Sequence, residues 1–101
     1  MTRVRFTSEA RKELLHETSY YEKVAEGAGW QFRLAVEVAS ARALAFPQSG
    51  RPGPKGTRRM RVKGFPFSIV YQQTIDGVLV HAIASSRRRP DYWIQRVKSD
   101  L

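Results

Sequence analysis

The spacing of apolar residues changes character along this chain, and each change marks an element. In Thr2-Arg3-Val4-Arg5-Phe6 the apolar residues alternate, which predicts a short half-buried strand. Beyond it the spacing becomes helical. Ala10, Leu14, Tyr21 and Val24 recur on one face, and Leu15, Thr18 and Ala25 widen it. Thr7 or Ser8 can cap this first helix, and Glu9 in its first turn suits the helix dipole. Gly27-Ala28-Gly29 stops it. A second helix is predicted from about Trp30 to Phe46, with Phe32, Ala35, Val36, Ala39, Ala43 and Phe46 as its apolar stripe. Its alanines suit a close crossing against the first helix, and the short link predicts an antiparallel hairpin.

Periodicity then disappears. Residues 47–57 hold three prolines and three glycines and predict an irregular loop. Three strands follow: about Arg58 to Lys63, Phe67 to Gln73 after a turn at Gly64-Phe65-Pro66, and Val78 to Ser85 after the hairpin signal Asp76-Gly77. The last is apolar apart from His81, as a central strand should be. Pro90 suits the first position of a short C-terminal helix over Asp91–Lys98. The order β-α-α-β-β-β with a helical tail implies an α+β domain. Its helix hairpin packs on one face of a mostly antiparallel four-stranded sheet.

Composition narrows the class. The 101 residues suffice for one domain, 1–101, and not for two cores. There are no cysteines, which excludes disulfides and thiolate metal sites. His16 and His81 cannot make a metal site alone. No apolar run of membrane-spanning length exists, and no apolar segment of signal-peptide type opens the chain. The expectation is a soluble cytoplasmic protein without membrane association.

The net charge of +9 is unevenly placed. Residues 1–46 carry 7 Lys/Arg against 6 Asp/Glu, and residues 47–101 carry 11 against 3. A one-sided positive field attracts polyanions such as RNA, DNA or an acidic protein. A merely solvated basic face is the plain alternative. The first strand after the loop argues against it. Arg59, Arg61 and Lys63 alternate with Met60 and Val62, so period-two geometry puts the three cations on one face. Like charges in a row repel unless something negative meets them. Arg87-Arg88-Arg89 at the exit of the last strand, with Tyr92 and Trp93 beyond, suits phosphate and base contacts. At least one of the two aromatics, Trp93 foremost, should dock the tail on the core. Arg87, nearest the strand, is expected to reach the same concave face as Arg59 and Arg61. The residues expected to meet a target or nucleic acid are Arg58, Arg59, Arg61, Lys63, Arg87, Arg88, Arg89 and Trp93.

No nucleophile elbow, phosphate-binding glycine loop or carboxylate pair is present. His81 fits a hydrogen-bonded core histidine better than a general base, and His16 falls on the outer side of the first helix. An active site made here would consist of arginines, a lysine, serines and aromatics. Such a set stabilises a phosphorane-like transition state but takes up protons poorly near neutral pH.

Along nearly its full length the chain resembles the RelE/ParE toxins of type II toxin–antitoxin systems. The resemblance rests on Tyr20-Tyr21, on Gly27 through Phe32, on Phe46-Pro47 and above all on Arg58 through Tyr71. It continues through Ala82-Ile83-Ala84 into Arg87-Arg88-Arg89-Pro90-Asp91-Tyr92-Trp93 and Arg96. It implies a toxin without a cofactor, held inactive by a cognate antitoxin with an acidic flexible segment. A strand added at the sheet edge or a helix laid over the hairpin are both fitting modes. RelE-like relatives cut ribosome-bound mRNA. On that branch the catalytic residues would be Arg59, Arg61 and Arg87, with Tyr92 or Trp93. Yet Ser68 stands where those nucleases place an arginine, arginines replace their lysines, and Ser85-Ser86 replaces a histidine. ParE-like relatives instead poison DNA gyrase and are not enzymes. The Phe-Pro-aromatic and Arg-Arg-Pro-x-Tyr-Trp wording is closer to that branch, so a gyrase inhibitor is the leading expectation and an mRNA endonuclease the alternative. A non-enzymatic nucleic-acid-binding module is the reading from outside the toxin class.

Overall fold

Thr7 starts the first helix as the sequence predicts: its hydroxyl accepts the Ala10 N–H at 3.1 Å. The computed structural model describes residues 3–98. Strand β1 (Arg3–Phe6) leads into α1 (Ser8–Val24) and α2 (Ala28–Ala45). Then come β2 (Arg51–Pro52), β3 (Arg58–Val62), β4 (Phe67–Thr74) and β5 (Gly77–Ser85). The sheet order is β1-β5-β4-β3-β2, with β1 parallel to β5 and the other pairs antiparallel.

The α+β class and the order of the main elements agree with the sequence reading, but the sheet has five strands rather than four. The added strand lies in the supposed loop. Arg51 and Pro52 pair with Arg59 and Arg58 at the sheet's outer margin, where a proline's missing N–H costs no ladder bond. Arg58 fastens the approach to this strand, donating to Gln48 O at 3.0 Å and Gly50 O at 2.9 Å. The loop also holds a 3-10 turn, Pro54–Gly56, in which Lys55 has φ 59°. That left-handed conformation is uncommon for a residue with a side chain.

The helices pack on one sheet face. Phe32, Val36, Ala39 and Ala43 of α2 and Ala10 of α1 meet Val62, Ile69, Tyr71, Val80 and Ile83. Tyr21, Phe32, Phe65 and Phe67 add a cluster of ring contacts with centroids 5.0–6.3 Å apart. The hairpin closes tightly at Gly29. A Cβ there would lie 2.6 Å from Thr18 O, so only glycine fits. Four residues assigned to the apolar stripes point outward instead: Leu15, Val24, Ala25 and Phe46 are exposed. Phe46 caps α2 rather than continuing it.

The opposite sheet face is covered by the C-terminal segment. Trp93 and Val97 pack on Val70, Ala82 and Ala84. Asp91–Lys98 is not the predicted helix; it is a string of turns ending in one 3-10 turn, Ile94–Arg96. The carbonyls are drawn elsewhere. Pro90 O, which an α-helix would join to Ile94 N–H, accepts from Arg59 at 2.7 Å, while Ile94 N–H bonds Asp91 O at 2.9 Å. Lys55 Nζ takes Ile94 O at 3.2 Å and Val97 O at 2.9 Å. The segment is thus a strap fastened crosswise rather than a self-sufficient helix.

Candidate functional site

The strap is anchored most strongly at Glu13 of α1. Strand β1 pairs β5 only as far as Phe6↔Val80, so β5 beyond Val80 has a bare outer edge. Glu13 Oε1 accepts the Ile83 N–H at 3.0 Å there. Arg96 donates to His81 O at 3.2 Å and forks onto Glu13, with Nη1 3.0 Å from Oε1 and Nη2 2.9 Å from Oε2. Side chains therefore complete the ladder that β1 leaves unfinished. The Tyr92 hydroxyl donates to Glu13 Oε2 at 2.7 Å, and the Arg88 guanidinium lies 3.6 Å from the Tyr92 ring centroid. Burial, then the bond to Glu13, raises the Tyr92 pKa well above its ordinary value. This phenol stays protonated and occupied at neutral pH.

The basic residues expected to gather on one face are dispersed over several places. Arg59 is tied to the strap: besides Pro90 O, its guanidinium lies 4.0 Å from Asp91 and 6.0 Å from the centre of Trp93. Arg61 and Lys63 line a groove beside α2 with Leu34, Val38, Arg42 and Phe65. Strand β3 ends at Val62, so Lys63 belongs to the following turn. Arg87 and Arg88 line a separate pocket against α1, with His16, Glu17, Tyr20 and Tyr21. Arg89 is exposed beside Asp91 and Tyr92. Arg58 braces the loop before β3. Trp93 is 0% exposed. The expected meeting of Arg59, Arg61 and Arg87 does not occur, because the strap occupies the middle of the face they would share.

The α2 groove has a volume of about 290 Å³ and a mostly apolar lining. Trp30, Leu34 and Val38 follow one another at helical spacing on the outer face of α2, 67%, 44% and 52% exposed. Strand β2 pairs only with Arg58 and Arg59, so the outer edge of Met60–Val62 is unpaired among the described residues. An apolar helix face, a free strand edge and three cations (Arg42, Arg61, Lys63) border one another. The sequence carried a signal for this: α2 is apolar nearly all round, more than one buried stripe requires. Glu13 and Lys55 carried none, since their partners lie 70 and 39–42 residues away.

His81 sits under the strap at an irregularity of the β4–β5 ladder. Val70 pairs with Ala82 and Tyr71 with Val80, which leaves His81 as the extra residue of a bulge. Its Nε2 lies 2.8 Å from Gln72 Oε1, and Gln72 Nε2 donates to Lys55 O at 2.8 Å. A carbonyl can only accept, so the Gln72 orientation follows and His81 carries its proton on Nε2. Nδ1 is buried without a partner among the described residues. Burial chiefly, with Arg96 adding, lowers the His81 pKa, while Glu9 opposes. A base whose folded pKa is depressed leaves the unfolded chain holding more protons below about pH 6.5. Stability is therefore full above that value and falls as pH drops through the folded pKa. Urea midpoints at pH 7.5 and 5 should show this fall, and His81→Gln, which keeps a donor near the Nε2 position, should flatten it.

The model of the ParE toxin of type II toxin–antitoxin systems, parDE, matches residues 4–90, and the chain belongs to that family. A chain of the chromosomal ParDE TA system from P. aeruginosa has the same fold. Its TM-score is 0.69 at 16% identity, over 84% of this chain and 96% of that one. No curated protein matches the sequence significantly. Among the described residues, no helix is long and apolar enough to cross a membrane.

Proposed function

We propose that this ParE-family toxin inhibits growth by acting on DNA gyrase and is neutralised by an antitoxin seated on α2 and the β3 edge. The dispersal of the RelE-type set supports the gyrase reading over mRNA cleavage. Arg59 is held by Pro90 O, the Tyr92 hydroxyl is held by Glu13, and Arg61 and Arg87 line different pockets. Cleavage needs an acid–base pair and charge stabilisation converging on one phosphodiester. A surface poison needs only complementary contacts.

The antitoxin reading rests on the groove. Trp30, Leu34 and Val38 offer apolar anchors at i, i+4 and i+8, which an amphipathic helix can meet. The free edge of β3 can accept a strand, and Arg42, Arg61 and Lys63 favour an acidic partner that folds on binding.

Induced expression should arrest growth, and co-expression of the cognate antitoxin should restore it. The double variant Leu34→Asp/Val38→Asp places two anions in the apolar groove without disturbing the core. It should still arrest growth, and the antitoxin's affinity should drop at least roughly 100-fold, the loss of one or two interface anchors. Unimpaired growth on expression of wild-type protein would reject the toxin reading. Full rescue of the double variant would move the antitoxin elsewhere.

A further inference from the structure

The pocket between α1 and the ends of β4 and β5 has no part in the account above. Its volume is about 290 Å³, at the lower end of the range for small-molecule sites. One wall is α1, which presents Glu17, Tyr20 and Tyr21; the other carries Phe67, Ser85, Arg87 and Arg88. Opposite charges share it without pairing. Among the described residues, Arg87 has no carboxylate and Glu17 no cation within ion-pair distance. Both line this one pocket together with Tyr21.

We propose that this pocket binds a single ribonucleotide through its 5′-phosphate, ribose and base. Arg87 is free to take the phosphate, with Arg88 beside it in a fixed position: its guanidinium is stacked on Tyr92 and lies 3.6 Å from Glu13. Ser85 Oγ accepts the Arg87 N–H at 3.1 Å, which sets the turn and leaves the hydroxyl proton for a phosphate oxygen. Tyr20 and Tyr21 meet edge to face, with centroids 5.3 Å apart, and Tyr20 is exposed. An exposed ring beside arginines is a platform for a base. Glu17 decides against a bare anion, which it would repel. It favours a ligand with one anionic end and donor groups behind it, as ribose hydroxyls and a base amine supply. His16 at the rim adds a further polar contact.

The 5′-phosphorylated nucleotide has two sources, a free nucleotide or the 5′ end of an RNA strand. The test is a titration of the isotopically labelled full chain, followed at the amide signals of Ser85–Arg88. The probes are AMP, adenosine, inorganic phosphate and a 5′-phosphorylated RNA oligonucleotide. AMP should saturate these signals, and adenosine and phosphate should each bind at least roughly tenfold more weakly, since each lacks one set of contacts. Arg87→Ala should weaken AMP by at least roughly tenfold, and Arg51→Ala, at an exposed cation of β2 outside the pocket, should leave it unchanged. An oligonucleotide binding more tightly than AMP at the same signals supports the site and identifies the strand end as its source. Phosphate binding as tightly as AMP, or no saturable shift with either nucleotide probe, would overturn the proposal. Because the readout is binding in vitro, it stands or falls separately from growth arrest and gyrase.

Discussion

Glu13→Ala should destabilise the protein by about 2–4 kcal/mol, in the range for breaking a largely buried, hydrogen-bonded ion pair. The Glu13 side chain is only 15% exposed and serves four donors on two elements. Its removal leaves the Ile83 N–H without an acceptor and the Arg96 guanidinium, 23% exposed, without its counter-charge. It also frees the Tyr92 hydroxyl, whose remaining acceptor is Ile83 O at 3.3 Å. Glu13→Gln keeps an oxygen for the Ile83 N–H but loses the forked ion pair, so it should fall about halfway between wild type and Glu13→Ala. Urea unfolding midpoints measure both. A loss below about 0.5 kcal/mol for Glu13→Ala, the ordinary effect of a surface change, would show that the strap does not depend on this anchor.

Trp93→Ala should cost about 3–5 kcal/mol, the range for deleting a buried large aromatic. Trp93 is fully buried and sits over Val70, Ala82 and Ala84, a sheet face that no helix covers. Loss of the ring exposes those three residues together and withdraws the aromatic surface beside Arg59. The effect should differ in kind from that of an equally large loss in the helix-side core. Hydrogen exchange should rise first in the strap and the Pro54–Gly56 turn it holds through Lys55, while α1, α2 and β4 stay protected. Uniform loss of protection would contradict a separately fastened strap.

These two residues show how unevenly the sequence revealed the structure. Element order was legible because it rests on local spacing: the alternation at Val4 and Phe6, the helical recurrence from Ala10, the Asp76-Gly77 turn. The inward face of α2 was legible for the same reason. Strand β2 was not, because a two-residue edge strand with a proline has no period to read. The tail reads as a helix in the sequence because Pro90 and Asp91 fit a helix start. What decides its shape is Arg59 and Lys55 taking its carbonyls, contacts spanning 31 to 42 residues. The candidate residues fared likewise. Alternation correctly placed Arg59 and Arg61 away from the core, but nothing local to them indicated that a strap would claim one and leave the other beside α2. Its place at a strand exit points Arg87 toward the concave face. The turn after Ser85, fixed by the Ser85 hydroxyl, carries it to the α1 side instead.

Charge placement ties these observations to the proposed activity. The basic second half was expected to form one field over an open face. Part of it is consumed internally, since Arg58, Arg59, Lys55 and Arg96 all hold backbone carbonyls. Other cations, beside α2 and in the Arg87–Arg89 turn, line surface pockets open to partners. The two groups lie in different pockets and can serve different partners.

The most direct test of the gyrase reading is a supercoiling assay with purified, antitoxin-free protein, scoring both loss of supercoiling and accumulation of cleaved DNA. Inhibition with trapped cleavage is the predicted result, and Arg61→Ala should leave it largely intact. No effect on gyrase at large molar excess, from protein that still arrests growth, would contradict the account. It would direct attention to mRNA cleavage on the ribosome, with Arg59, Arg61 and Arg87 as the first residues to replace.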